Sequence, residues 1–165
     1  MQYLPAEEKH IPEIVELCKN GFHINDTKLL TKLFTLYLKR GVLIVAYEDK
    51  VAGYMAGRYN TTFLRDALST PSLLIFGRNF LTPWHLRLLS ADGAYLASMS
   101  VHPDFKGQGI AHKLVQSTVE KLQKHTYIEI ESSNNAMRAI LQDLKFELLT
   151  PVLRKITHRE IWHKI

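Results

Sequence analysis

Residues 98–111 read Ser98, Met99, Ser100, Val101, His102, Pro103, Asp104, Phe105, Lys106, Gly107, Gln108, Gly109, Ile110, Ala111. No other run constrains the fold as tightly. A β-prone segment stops at a proline, a turn with two glycines follows, and an amphipathic helical pattern begins. Glycine lets the backbone turn tightly, so several N–H groups can point at one place. A helix start adds unpaired amides and the positive end of its dipole. A strand, a glycine turn and a helix start in succession make a place for a pyrophosphate. Two glycines in a loop also suit a plain strand-to-helix turn, so the flanking chain has to decide.

The flanks alternate between helical and strand periods. Ile11, Ile14, Val15, Cys18 and Phe22 recur at helical spacing, with Pro12 in the first turn. A second helix is expected over residues 26–39, capped by Asn25 or Asp26 and ended by Gly41. Residues 42–47 and 51–59 form a hairpin around Glu48, Asp49 and Lys50. Residues 95–101 are a strand, 110–124 a helix, 127–131 a strand and 134–144 a shorter helix. Residues 146–149 and 159–164 close the chain as strands. The order is ααββ, an insert over residues 60–93, then βαβαββ. A strand–helix–strand unit implies two parallel neighbours. The class is therefore α/β (α+β), a mixed sheet with helices on both faces. The insert is too long for a plain loop, and its short apolar patterns predict short helices. Its Phe63, Phe80, Leu81 and Trp84 suit core packing or a lid, a dimer contact, or an interfacial membrane contact, in that order.

The length of 165 residues fits one domain over residues 1–165 that buries its own core. A single cysteine, Cys18, excludes an intrachain disulfide and is compatible with a reducing cytoplasm. It lies on the apolar stripe of the first helix, so packing is the expected role. The start has no secretory pattern, and no run is long enough for a membrane span. The formal charge of +5 favours an anionic ligand, but the scattered Lys and Arg residues do not suggest nucleic acid. No P-loop or Rossmann pattern is present. The eight histidines form no metal-ligand pattern and read as surface residues.

The run at 101–111 resembles the central motif of the GNAT acetyltransferases. That motif is [Q/R]-x-x-G-x-[G/A] after a strand ending V-x-P. It stands here as Lys106, Gly107, Gln108, Gly109, Ile110 and Ala111 after Val101, His102 and Pro103. Lys106 departs from the Gln or Arg of the pattern but remains cationic. The likeness continues through Asn134 to Phe146 and covers nearly the whole chain. It implies a GNAT fold, acetyl-CoA as co-substrate, and acetyl transfer to a primary amine of a small molecule, amino sugar or peptide. A homodimer is compatible with it. The resemblance gives the backbone of Met99 and Val101 to the pantetheine and the acetyl carbonyl. The amides of residues 106–111 would take the pyrophosphate, and Asn134 would lie near the cofactor. Asn134 is equally suited to cap a helix. Glu129 is the candidate general base by similarity, and Glu131 the alternative on the same strand face. The long insert resembles a subgroup often associated with polysaccharide or amino-sugar biosynthesis.

Two positions depart further. The family's usual tyrosine acid stands at Leu141, and its glycine before the last Phe at Lys145. Tyr54, Tyr59, His102 or water would then protonate the leaving thiolate. The alternative is a non-catalytic domain that binds acetyl-CoA as a ligand or sensor.

Overall fold

The computed structural model describes residues 1–59, 93–149 and 159–165. The predicted insert, apart from Gly93, lies outside these residues. Seven strands form one mixed sheet in the order β1-β2-β3-β4-β5-β7-β6. The chain divides into two compact units. One comprises Met1–Arg58 and Ala97–Gln123, the other Tyr59–Leu96 and Lys124–Ile165. Strand β4, Ala94–Val101, contributes to both.

In the first unit, β1 (Gln2–Pro5) pairs antiparallel with β2 (Gly41–Tyr47), and β2 with β3 (Val51–Tyr59). The sequence pattern did not foresee β1. Four residues holding one proline carry no readable period, and pairing with β2 is what makes them a strand. Helices α1 (Ile11–Phe22) and α2 (Thr27–Arg40) follow β1. Asp26 caps α2 by accepting from the Leu29 amide at 2.9 Å, and Gly41 is its C-cap. Helix α3, Ile110–Leu122, follows β4.

Strand β3 is buried from Val51 to Gly57, which requires cover on both faces. Tyr54 meets Phe34 of α2 edge-on at 5.1 Å between ring centroids. One residue along on the other side, a Cβ on Gly53 would come within 3.2 Å of Leu114, and one on Gly57 within 3.1 Å of Thr118. The small residues of β3 therefore let α3 lie close on the face opposite α2. Each fully buried Leu or Phe of this core, such as Leu30, Phe34 and Leu114, contributes about 1.5–3 kcal/mol.

In the second unit, β4 runs parallel to β5 (Thr126–Glu131) with register Ala94↔Thr126, Tyr95↔Tyr127 and Leu96↔Ile128. Strand β7 (Arg159–Lys164) pairs antiparallel with β5 and with the two-residue β6 (Glu147–Leu148). Helix α4, Asn135–Asp143, links β5 to β6. Arg138 of α4 grips the fully buried Glu160 of β7 through Nε at 3.2 Å and Nη2 at 3.0 Å. It also donates to Ser132 O and to Asn135. Trp162 Nε1 donates to the same Glu160 carboxylate at 3.1 Å. A charge this deep is tolerated only because its acceptor sites are filled in this way.

Candidate active site

The loop after β4 is built in three steps. His102 N donates to Ala52 O at 2.8 Å, which ties the end of β4 to β3. Pro103–Phe105 then make one 3-10 turn, and His102 Nδ1 accepts from the Asp104 amide at 3.3 Å. Finally Gly107 and Gly109 both take left-handed backbone, at φ of 77° and 74°. Gly109 is the N-cap of α3 and has no side chain to cap it. A Cβ built on either glycine meets nothing within 4 Å. Glycine is required here by conformation rather than by crowding. Lys106, Gly107, Gln108, Gly109, Ile110 and Ala111 thus lead from the turn after β4 through two left-handed glycines into the first residues of α3, a form whose free amides suit an anion. Met99 and Val101 lie in the last five residues of β4, which belong to the same unit as the loop.

The same unit holds a buried polar cluster. Tyr54 Oη and Ser98 Oγ share a hydrogen bond of 2.9 Å. Burial holds the Tyr54 hydroxyl well above its usual pKa, and the neighbouring Cys18 raises it further. Burial also pushes the Cys18 thiol up, while hydrogen bonding to Tyr54 and Ser98 opposes this. A buried thiol kept protonated is a packing residue, as the apolar stripe predicts. Ser100 Oγ donates to Leu17 O at 3.4 Å. His102 lies in its turn beside Asp104, with Phe105 edge-on.

The second unit carries the other predicted residues. Glu129 and Glu131 share one face of β5, and burial separates them. The Glu129 side chain is 4% exposed and that of Glu131 67%. Arg159 reaches both, with Nη1 at 3.5 Å from Glu129 Oε1 and Nη2 at 4.0 Å from Glu131 Oε1. Asn134 is the N-cap of α4, accepting from the Met137 amide at 3.0 Å. Leu141 is fully buried core.

The surface reading of the histidines needs correction. His10 is buried, and its Nδ1 accepts from the Glu7 amide at 2.9 Å in a capping box. His125 Nε2 and His163 Nδ1 share a hydrogen bond of 2.8 Å, and His125 stacks on Tyr127. Sequence spacing hides this pair because strand register, not local period, brings residues 38 apart together. Arg159 was missed for the same reason: β7 faces β5 only once the antiparallel pairing is known. Among the described residues, no group of three or more His, Cys, Asp or Glu could hold a metal. No helix among them is long and apolar enough to cross a membrane.

A mixed sheet and a turn with two left-handed glycines between β4 and α3 define the class. Residues 11–146 match the family described as Acetyltransferase (GNAT) family, and the chain belongs to it. Acetyl-CoA is the co-substrate of that family. No curated protein matches the sequence. Solved structures resemble the fold. The ribosomal-protein-alanine N-acetyltransferase from Brucella melitensis has a TM-score of 0.69 at 18% identity, covering 100% of this chain and 99% of that one. The putative acetyltransferase yncA from Salmonella typhimurium, with its cofactor acetyl-CoA, gives 0.65 at 19%, covering 90% and 80%. The ribosomal-protein-S18-alanine N-acetyltransferase from Escherichia coli gives 0.62 at 16%, covering 98% and 91%.

Proposed function

We propose that the chain is a cytoplasmic acetyl-CoA-dependent N-acetyltransferase working as one GNAT domain. Its acceptor is a primary amine on a small molecule, an amino sugar or a peptide. The observation that carries the reading is the pair of left-handed glycines, Gly107 and Gly109, at a helix start without a side-chain cap in the loop that follows β4. The amides of residues 106–111 would hold the pyrophosphate, and the backbone of Met99 and Val101 the pantetheine arm. Acetyl-CoA supplies the acetyl group as a thioester. The protein has to orient that thioester, polarise its carbonyl and provide a neutral amine. Val101 is the candidate for polarising the carbonyl through its backbone.

Glu129 takes the proton of the acceptor ammonium, the general-base role that the family resemblance implies for it. Glu131, which is exposed, is the alternative. Leu141 has no proton to give. Solvent serves the leaving thiolate, whose reference pKa of about 8.5 makes it an undemanding leaving group. The buried Leu141 equally favours a second reading, a domain that binds acetyl-CoA without turnover.

Thermal unfolding with acetyl-CoA, CoA and ATP tests the cofactor claim. A ligand at a hundred times its dissociation constant stabilises the fold by about 2.7 kcal/mol. A larger shift with acetyl-CoA than with ATP is expected, and no shift at millimolar acetyl-CoA overturns it. Thiol release over a panel of amines then decides between enzyme and sensor.

A further inference from the structure

We propose that Arg159 is the positioning residue of the acceptor side: its guanidinium holds Glu129 ionised and oriented, and so singles out Glu129 rather than Glu131 as the proton acceptor. The proton-accepting role rests on the reading given under Proposed function. The electrostatic role stands on the β5–β7 geometry alone.

The register places Glu131 directly opposite Arg159, and Glu129 opposite Ile161 two residues further along β7. Alternation puts Tyr127, Glu129 and Glu131 of β5 on one face with Arg159, Ile161 and His163 of β7. From there Arg159 spreads its two terminal nitrogens over the two carboxylates, Nη1 to Glu129 at 3.5 Å and Nη2 to Glu131 at 4.0 Å. The two contacts are unequal in consequence. The Glu131 side chain is 67% exposed, so water already solvates its charge and the contact changes little. The Glu129 side chain is 4% exposed and has lost that hydration. A carboxylate in such a place drifts toward its neutral form unless a fixed positive charge opposes the drift. Arginine stays charged at every working pH.

The other titratable and charged groups on this face, among the described residues, lie further along the strands. They are Tyr127 with His125 stacked on it, His163 with Glu147 at 3.7 Å, and Tyr95 opposite Tyr127. On the reading under Proposed function, the acceptor arrives as an ammonium. An N–H bond of that ammonium breaks, the proton passes to a Glu129 oxygen, and the electron pair stays on nitrogen. Solvent takes the proton from Glu129 afterwards.

The test is a carbon-13 NMR titration of the glutamate side-chain carboxyls, made without acetyl-CoA or acceptor. In Arg159→Gln the Glu129 midpoint rises by at least one pH unit while that of Glu131 moves by less than half a unit. Arg159→Lys, which keeps the charge and is the safer variant for folding, returns most of the Glu129 midpoint to its wild-type position. An unmoved Glu129 midpoint in Arg159→Gln, or equal movement of both glutamates, overturns the proposal. The acid limb of kcat/KM for the acceptor should follow the Glu129 midpoint upward in Arg159→Gln, with acetyl-CoA affinity unchanged. If the midpoint moves and Glu129→Gln leaves turnover intact, the electrostatic assignment stands and the base role of Glu129 falls.

Discussion

The β4–α3 loop and the β5–β7 face solve different problems with different parts of the chain. The loop offers backbone: two left-handed glycines and a helix start without a side-chain cap, and under the proposed function its amides do the binding. The β5–β7 face offers side chains, two glutamates and an arginine that sit in unequal surroundings. Backbone devices tolerate substitution wherever φ is respected. Side-chain devices fail when one atom is exchanged. On the proposed function, Lys106 in place of the family's Gln or Arg should therefore cost the loop little, and loss of the Glu129 carboxylate should cost much.

The sharpest test of that contrast is Glu129→Gln. It exchanges one oxygen for nitrogen and keeps the shape. General-base catalysis contributes about 10²–10⁴-fold, so turnover should fall by that factor while acetyl-CoA affinity is unchanged. Steady-state kinetics with direct cofactor titration reads both. Unchanged turnover would discard Glu129 and leave the face without its proposed chemistry.

The opposite face of β7 should be equally intolerant, for stability instead of rate. Arg138→Met strands the Glu160 charge in the core with Trp162 as a remaining donor. Breaking one side of a buried pair costs about 3–5 kcal/mol. For a chain of this size that lowers the melting temperature by roughly 10 °C. A loss below about 1 kcal/mol, measured by urea unfolding, would show that Glu160 protonates or rehydrates at little cost.

On the loop, the prediction separates conformation from charge. Gly107→Val and Gly109→Val each force a branched residue into left-handed backbone, a strain of about 1–2 kcal/mol. The loop escapes by leaving the geometry that aims its amides, so acetyl-CoA affinity should fall about tenfold. Lys106→Gln should change it by less than about threefold. A larger effect at Lys106 than at the glycines would invert the comparison and make the loop a side-chain site.

The two regions were legible to different degrees for the same physical reason. A backbone device leaves a local signature, so the glycines, the proline at the strand end and the helical period after Ile110 announce it within fourteen residues. The α2 cap at Asp26 is local too, and the structure has it as expected. The β5–β7 face depends on register. Arg159 is 30 residues from Glu129, and the short β1 exists only because β2 offers it an edge. Asn134 shows both regimes at once: its capping role is local and visible, while any cofactor contact would be non-local.

The histidine pair gives the side-chain region a pH dependence. Burial, and then the charge of His163, depress the pKa of His125. Between that lowered value and the usual 6.5 or so, the unfolded chain binds more protons than the folded one. Stability therefore rises with pH through this window and is lost as pH falls below about 6.5. His163→Gln removes the repelling charge, so its stability should fall less steeply between pH 7 and 5. Urea midpoints across that range check it, and an equal slope would mean burial alone sets the shift.

The smallest effect belongs to the backbone, inside the side-chain region. Helix α4 ends with Lys145 at a φ of 62°. The Phe146 amide donates to Leu141 O at 2.8 Å and the Lys145 amide to Gln142 O at 3.1 Å. That is the Schellman arrangement, which normally places glycine where Lys145 stands. The family's glycine before the final Phe thus has a conformational reason, and this chain departs from it at a cost. A non-glycine residue in left-handed backbone loses about 1–2 kcal/mol. Glycine recovers this but adds about 0.5–1 kcal/mol of unfolded-state entropy. Lys145→Gly should therefore stabilise the fold by up to about 1 kcal/mol, seen as a higher urea midpoint with an unchanged m-value. Destabilisation would mean that the lysine side chain contributes more than its backbone strain removes.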